Sequence, residues 1–287
     1  FIAPVGGEAI TGGKDILEGE PYEAPTKPFG GAEELSWSPD GKTLAYSSRK
    51  KTGMEYSLST NTDIYLYDLA SGQTRNITEG MGGYDTHPRF SPDGKRISWI
   101  SMERDGYEAD LKRLFVQDLK TGQKTFLTDG FEYDVDELQW AANSQSLFFL
   151  STKHAEAQLW EIALKGRKIR QITTGMHDYT SLDVQGGKIL AGRQSYIEPT
   201  DLYLVDVKTG AAKQLTAENK STLDGLAPIS VEKRWVKTTD GGNMLVWVVL
   251  PPNFDKTKKY PALLFCQGGP QSPVSQFFSY RWNMRLM

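Results

Sequence analysis

Three histidines and one cysteine are the side chains best suited to acid–base or nucleophilic chemistry in this sequence. His87, His154 and His177 fall in predicted turns or insertions, where a histidine that hydrogen-bonds to local groups is the simpler interpretation. No serine lies in the Gly-x-Ser-x-Gly pattern of a strained, activated nucleophile. Cys266 ends an apolar segment, which favours a buried structural thiol over a nucleophile. The sequence therefore predicts no complete catalytic group within the chain.

A polar insertion at residues 101–110 holds a denser set of charged side chains. It contains the carboxylates of Glu103, Glu108 and Asp110, together with Arg104. Carboxylates form strong hydrogen bonds with ammonium groups, and a neighbouring arginine can orient one of them. The alternative interpretation is a loop of solvated charges.

The elements that must position these groups come from a repeated hairpin pattern. An aromatic residue, a Ser-Pro-Asp-Gly turn and an alternating apolar strand occur at residues 37–46 and 90–99, and in altered form at residues 140–149. Proline presets φ for a turn, and Asp-Gly supplies the positive φ of a tight hairpin. The apolar alternation has the period of a strand with two different faces.

A second pattern follows each hairpin and ends in a threonine, at Thr78, Thr128, Thr173 and Thr216. The successive separations are 50, 45 and 43 residues. A period of about 40–50 residues with four short strands is typical of propeller blades. We therefore predict about four full blades plus part of another at the start, which opens in the middle of a blade and implies missing upstream blades.

The repeat stops after Thr216, and a different pattern begins near residue 228. A long hydrophobic hairpin at residues 231–252 leads to the apolar segment Tyr260–Cys266, which has the composition of a strand covered on both faces. That segment runs into the loop Gln267-Gly268-Gly269-Pro270. The predicted domains are a β-propeller at residues 1–227, incomplete at its N-terminus, and the start of a second domain at residues 228–287.

Composition excludes several classes of function. The net charge of −3 gives no basic face for nucleic acid, and no apolar run approaches the roughly 20 residues of a membrane-spanning helix. With one cysteine the chain forms no internal disulfide. The sequence predicts no metal site and no cofactor.

Together these patterns resemble the prolyl oligopeptidase family of serine peptidases, in particular its bacterial dipeptidyl-peptidase 5 and acylaminoacyl-peptidase branch. The stretches that carry the resemblance are 37–40, 101–110, 266–271 and 279–283. The resemblance implies a mainly β fold, in which a partial β-propeller is followed by the first strands and helix of an α/β-hydrolase domain. It also implies a periplasmic or secreted parent enzyme that releases dipeptides from peptide N-termini through an acyl-enzyme, with the propeller gating access. A non-catalytic propeller that serves as a binding module is the alternative.

The resemblance also assigns roles to residues. The catalytic triad lies outside this chain, and the loop after the apolar segment supplies oxyanion donors, for which Gln267 and Gly268 are the candidates. Relatives commonly have Tyr or His at the position of Gln267, which puts a phenol-type donor in doubt. A carboxylate of the insertion binds the substrate's N-terminal amine, with Glu108 as the leading candidate. The expected partners are peptide substrates and the remainder of the same polypeptide, and a homodimer is left open.

The first prediction is that the purified 287-residue chain does not hydrolyse peptides, because it holds no Gly-x-Ser-x-Gly serine paired with a histidine. Incubation with a dipeptidyl chromogenic substrate should release chromophore at the buffer rate. Release proportional to the concentration of the chain would contradict the prediction.

Overall fold

The structure is a computed structural model and describes residues 1–3, 12–28, 30–266 and 272–285. The chain divides into two compact units, one of residues 1–146 with 164–167 and one of residues 147–163 with 168–287. The described residues form four antiparallel blade-like sheets and a separate two-stranded hairpin. The mainly β fold and the four blades predicted from the repeats are confirmed.

The first two sheets are four-stranded meanders, in which each strand pairs with the next along the chain. The first consists of β1 (Leu35–Trp37), β2 (Thr43–Ser48), β3 (Asp63–Asp68) and β4 (Thr74–Asn76). The second consists of β5 (Asp85–Phe90), β6 (Arg96–Ser101), β7 (Arg113–Asp118) and β8 (Lys124–Phe126). A 3-10 turn at Ala32–Glu34 precedes β1, and the short helix α1 (Gly53–Leu58) lies between β2 and β3.

The next two sheets repeat the meander with longer central strands. The third consists of β9 (Asp136–Trp140), β10 (Ser146–Lys153), β11 (Glu156–Ala163) and β12 (Ile169–Gln171), with a 3-10 turn at Lys165–Arg167 before β12. The fourth consists of β13 (Asp178–Tyr179), β14 (Asp183–Gln185), β15 (Lys188–Ser195), β16 (Glu198–Asp206) and β17 (Ala212–Gln214), with β13 and β14 both paired to β15. Helix α2 (Lys220–Asp224) and the hairpin of β18 (Ser230–Lys237) and β19 (Asn243–Leu250) follow.

The Ser-Pro-Asp-Gly motifs form the turns that the sequence predicts. In the first sheet the Asp40 carboxylate accepts hydrogen bonds from Ser38 Oγ at 2.7 Å and from the Lys42 amide at 3.1 Å. The next residue, Gly41, has a φ of 69°, a left-handed conformation that costs glycine little. The altered third copy has Ser144 at this position with a φ of 57°, so the turn survives without the glycine.

The closing threonines have a common structural role. Each hydroxyl oxygen accepts the backbone N–H of the residue 14 positions earlier, which lies in the preceding long strand, at 2.9–3.0 Å. The four donor–acceptor pairs are Ile64 with Thr78, Leu114 with Thr128, Leu159 with Thr173 and Leu202 with Thr216. A threonine therefore fastens the end of each outer hairpin to the strand before it.

An apolar cluster packs residues of the first two sheets together. Ile64, Ile97 and Trp99 are fully buried, and Leu66 joins them in one cluster with residues of both sheets. Burying each such side chain contributes about 1.5–3 kcal/mol. The indole N–H of Trp99 donates to Asp85 Oδ1 at 3.1 Å, and burial raises the pKa of Asp85 to about 7.

The apolar segment Tyr260–Cys266 differs from its prediction. Residues 261–266 form no strand, the side chains of Leu263 and Leu264 are 78% and 87% exposed, and Cys266 is an exposed free thiol. A covered strand needs neighbours to pair its backbone groups, and the described residues provide none here. The predicted buried thiol is therefore wrong in this structure. Residues 272–285 likewise contain no helix, whereas the predicted hairpin of this region is present as β18 and β19.

The second prediction concerns Thr128. A Thr128→Val substitution keeps the shape of the side chain but leaves the buried N–H of Leu114 without its acceptor, which costs about 1–3 kcal/mol. The free energy of unfolding, measured by denaturant titration, should fall by that amount. Thr125→Val is the matched control: this threonine of strand β8 forms no side-chain hydrogen bond with a described residue, so the change should be less than about 0.5 kcal/mol. Equal losses for the two variants would contradict this role of Thr128.

Candidate functional site

The polar insertion connects the two central strands of the second sheet. It leaves strand β6 at Ser101 and rejoins strand β7 at Arg113. Several of its residues bond to one another or to the neighbouring loop of the first sheet, so the candidate carboxylates have defined surroundings. All of these contacts lie within the first compact unit.

Asp105 fastens the insertion to the loop before strand β3. Its Oδ1 accepts hydrogen bonds from Ser59 Oγ at 2.7 Å, from the Thr60 amide at 2.7 Å and from the Asn61 amide at 3.2 Å. In return, the Gly106 amide of the insertion donates a hydrogen bond to Thr60 Oγ1 at 2.8 Å. Burial alone would raise the pKa of Asp105, but the hydrogen bonds from Ser59, Thr60 and Asn61 outweigh it and hold the pKa below its usual value.

Asp110 is already paired with Arg104. The Arg104 amide donates to Asp110 Oδ2 at 2.7 Å, and its Nε donates to Oδ1 at 2.9 Å. The Arg104 guanidinium also lies 3.9 Å from the ring centroid of Tyr107. The hydrogen bonds from the Arg104 side chain lower the pKa of Asp110. Among the carboxylates of the insertion, Arg104 is therefore paired with Asp110.

Glu103 and Glu108 have different surroundings. Glu103 Oε2 lies 3.2 Å from Arg113 Nη1 and its side chain is 71% exposed. Glu108 accepts a long hydrogen bond of 3.5 Å from the Tyr84 hydroxyl, and no cationic side chain of the described ranges lies within 4 Å of it. Glu108 is thus the one carboxylate of the three candidates without an ion pair in the described part of the chain.

A cleft of about 340 Å³ brings part of the predicted set together with residues that the sequence analysis missed. It is lined by Glu103, Asp110, Leu111, Arg113, Phe126, Gly130, Phe131 and Glu132. Glu108 does not line it. The exposed Glu132 carboxylate and the two phenylalanines come from strand β8 and the loop after it, 16 or more residues away from the insertion in sequence. The acid-rich stretch at residues 129–137 was the sequence signal that could have indicated Glu132.

The predicted oxyanion donors Gln267 and Gly268 lie outside the described residues. Within the described ranges, no group of three or more His, Cys, Asp or Glu side chains is placed to hold a metal ion. No helix of those ranges is long and apolar enough to cross a membrane.

The histidines do not form a catalytic group. His87 lies within strand β5 rather than in the predicted turn, with its Nδ1 3.0 Å from Thr86 Oγ1. His154 packs edge-on against Trp235, and His177 packs edge-on against Tyr179. Burial lowers the pKa of both His87 and His177 to about 4, so these two rings are neutral at pH 7. The predicted local hydrogen bond of a histidine side chain is found at His87.

Comparison with known proteins decides the family. The model of the TolB beta propeller domain matches residues 35–257, which is more than three quarters of the chain. The chain belongs to this propeller family. Its match spans all four blade-like sheets and the hairpin of β18 and β19.

Two relatives match over the full 287 residues. The chain is 65% identical to dipeptidyl-peptidase 5 of Porphyromonas gingivalis and 57% identical to dipeptidyl-peptidase 5 of Porphyromonas endodontalis. It spans 42% of the length of each of these proteins. The resemblance to the dipeptidyl-peptidase 5 branch is confirmed.

A solved structure gives the same architecture. The acylaminoacyl peptidase of Pyrococcus horikoshii aligns with a TM-score of 0.70 at 20% identity, covering 87% of this chain and 37% of that one. At this identity the likeness establishes the fold alone. It supports the assignment of the four sheets to a propeller.

The third prediction concerns Asp105. An Asp105→Ala substitution removes the acceptor of the Thr60 amide, so this amide should exchange with deuterium at least about tenfold faster, as expected for the loss of more than about 1.4 kcal/mol of local stability. The Asn61 amide also donates to Ser59 Oγ at 3.1 Å and should respond less. The Asp105 contribution is present above pH 4 and is lost as the pH falls through its lowered pKa. Asp129→Ala, an exposed aspartate 3.9 Å from Arg167, is the control and should leave these amides unchanged. Unchanged exchange in Asp105→Ala would refute the fastening.

Proposed function

We propose that the chain forms the propeller and the first part of the catalytic domain of a serine exopeptidase that releases dipeptides from peptide N-termini. The 65% identity over the whole chain to a protein named dipeptidyl-peptidase 5 is the observation that carries this proposal. The catalytic serine, aspartate and histidine would come from the portion of the longer relatives that this chain does not match. We place the boundary between the two domains near residue 228, ahead of the hairpin of β18 and β19.

In such an enzyme the propeller contributes a carboxylate that holds the free amine of the substrate. An ammonium held at a fixed distance from the nucleophile sets how many residues are released, and a charge-assisted hydrogen bond to it is stronger than a neutral one. Glu103 already forms an ion pair with Arg113, and Asp110 forms one with Arg104. A substrate amine would have to compete with these arginines.

Glu108 has no arginine or lysine paired with it among the described residues. Its contact with the Tyr84 hydroxyl orients the carboxylate, and Tyr84 is itself fixed by a hydrogen bond of 3.4 Å from Arg49 Nη2. Burial raises the pKa of Tyr84, so its hydroxyl stays protonated and able to donate at neutral pH. We therefore propose Glu108 as the amine anchor.

The oxyanion would be stabilised by the loop at residues 267–270. A backbone N–H at Gly268, with the Gln267 side-chain amide as a second donor, would face the negative charge that develops on the scissile carbonyl oxygen. Glycines at these positions let the backbone approach the substrate closely.

The fourth prediction tests the anchor in the full-length enzyme. Glu108→Gln keeps the shape of the side chain but removes its charge, so kcat/KM for a free-amine dipeptidyl substrate should fall about tenfold or more. The value for the matched N-acetylated substrate should not change. Glu103→Gln, which removes a carboxylate already paired with Arg113, is the control and should affect the two substrates alike.

An equal effect of Glu108→Gln on the free-amine and the acetylated substrate would reject Glu108 as the anchor. If Glu103→Gln instead produced the selective loss, the anchor would lie at the cleft that Glu103 lines. If the wild-type enzyme released no dipeptide from any free-amine peptide, the proposed activity itself would be rejected.

A further inference from the structure

Arg89 on strand β5 has an unusually constrained guanidinium. Its Nη1 donates to two backbone carbonyls, Glu33 O at 2.7 Å and Pro88 O at 2.8 Å. Its own carbonyl oxygen accepts the Trp140 indole N–H at 3.0 Å and the Ser98 hydroxyl at 3.3 Å. Side chain and backbone are therefore both fixed, and the arginine does not depend on an ion pair for its position.

The other edge of this guanidinium is unused. Among the described residues, neither Nε nor Nη2 of Arg89 has a hydrogen-bond partner, and no carboxylate oxygen lies within 4 Å of the side chain. Neither nitrogen is among the completely buried side-chain nitrogen and oxygen atoms that lack a partner, and the Arg89 side chain as a whole is partly exposed. Nε and Nη2 together form the planar pair of donors that matches the two oxygens of a carboxylate.

The carboxylates around Arg89 disfavour a dianion more than a monoanion. Glu33 and Glu137 are near enough to act on the guanidinium electrostatically, and they would repel a dianion more than a monoanion. The Lys112 ammonium is already paired with Asp136 at 2.7 Å. The His87 ring, buried beside Arg89, is neutral at pH 7 because burial and the Arg89 charge lower its pKa.

The strand itself presents the arginine in this way because its backbone is irregular. The pairing of β5 with β6 shifts register between Thr86 and Arg89, and His87 in this interval has a φ of 56°. A bulge of this kind leaves one residue unpaired and re-aims the side chains next to it.

We propose that Arg89 is a binding site for a carboxylate, which its Nε–Nη2 edge holds with two parallel hydrogen bonds. The C-terminal carboxylate of a peptide and a small organic acid share this chemistry. The site is independent of the proposed peptidase activity, because it lies within the 287-residue chain and needs no catalysis to be detected.

The fifth prediction is a titration of the 287-residue chain at pH 7 and low salt, followed through the Arg89 Nε–H resonance in proton–nitrogen correlation spectra. The probes are N-acetyl-alanyl-alanine, the C-terminal amide of the same peptide, sodium acetate and inorganic phosphate. The peptide acid should bind about tenfold more tightly than its amide, because charge-assisted hydrogen bonds are stronger than neutral ones. Phosphate should bind more weakly than the peptide acid.

Three variants sharpen the test. Arg89→Lys keeps the charge but loses the planar pair of donors, so it should reduce the preference for the acid. In this variant binding is followed through the backbone amide resonances of residues 87–90 instead. Arg75→Gln removes an exposed arginine of strand β4 and should leave binding unchanged, which controls for net charge. Glu137→Gln removes a repelling carboxylate from an exposed position, so it should tighten binding of the acid about twofold without affecting the amide. This variant tests the site even if Arg89→Lys does not fold.

Equal affinity for the acid and the amide would overturn the proposal, as would tighter binding of phosphate than of both carboxylates. A folded Arg89→Lys that retains the full preference for the acid would overturn it too. Acetate that binds as tightly as the peptide acid would support the site and identify small organic acids as its ligands. Weaker acetate binding would support it as a site for peptide C-termini.

Discussion

The hydrogen bond between a closing threonine and a backbone amide 14 residues earlier is the constraint on which the blades depend. It occurs in all four sheets at nearly the same length. In the first and fourth sheets the same hydroxyl also donates to an aspartate, Asp63 at the start of β3 or Asp201 within β16. Because the outer hairpin is fixed at this point, the chain leaves every blade from an equivalent position. Strand β5, with its arginine, follows directly after the exit that Thr78 fixes.

The blades were predictable because their signals are local. Turn residues and the alternation of apolar side chains act over a few positions, so the copies at 37–46 and 90–99 could be recognised directly. The segment Tyr260–Cys266 was not predictable in the same way, because its composition indicates a strand only if partner strands cover it. In the described residues it has none, and its apolar side chains are exposed.

The candidate site was predictable in its composition but not in its pairings. The sequence indicated which carboxylates the insertion holds, yet it could not show that Arg104 neutralises Asp110 while Glu108 has no ion pair with any described residue. Nor could it show that Asp105 fastens the insertion to residues 59–61, because that contact joins positions about 45 residues apart. The constrained guanidinium of Arg89 depends on backbone carbonyls, which no side-chain pattern reveals.

The altered third turn has a consequence for engineering by consensus. Ser144 occupies the position of Gly41 and Gly94, and a repeat-based design would restore glycine there to relieve its positive φ. The Ser144 hydroxyl, however, accepts the Asp93 amide of the preceding blade at 3.0 Å, and its side chain is buried. Restoring glycine would exchange a local backbone strain for an amide without its partner between two blades. Ser144 departs from the repeat in its own turn, yet it forms a hydrogen bond between two blades. A consensus sequence averaged over the repeats would remove that hydrogen bond.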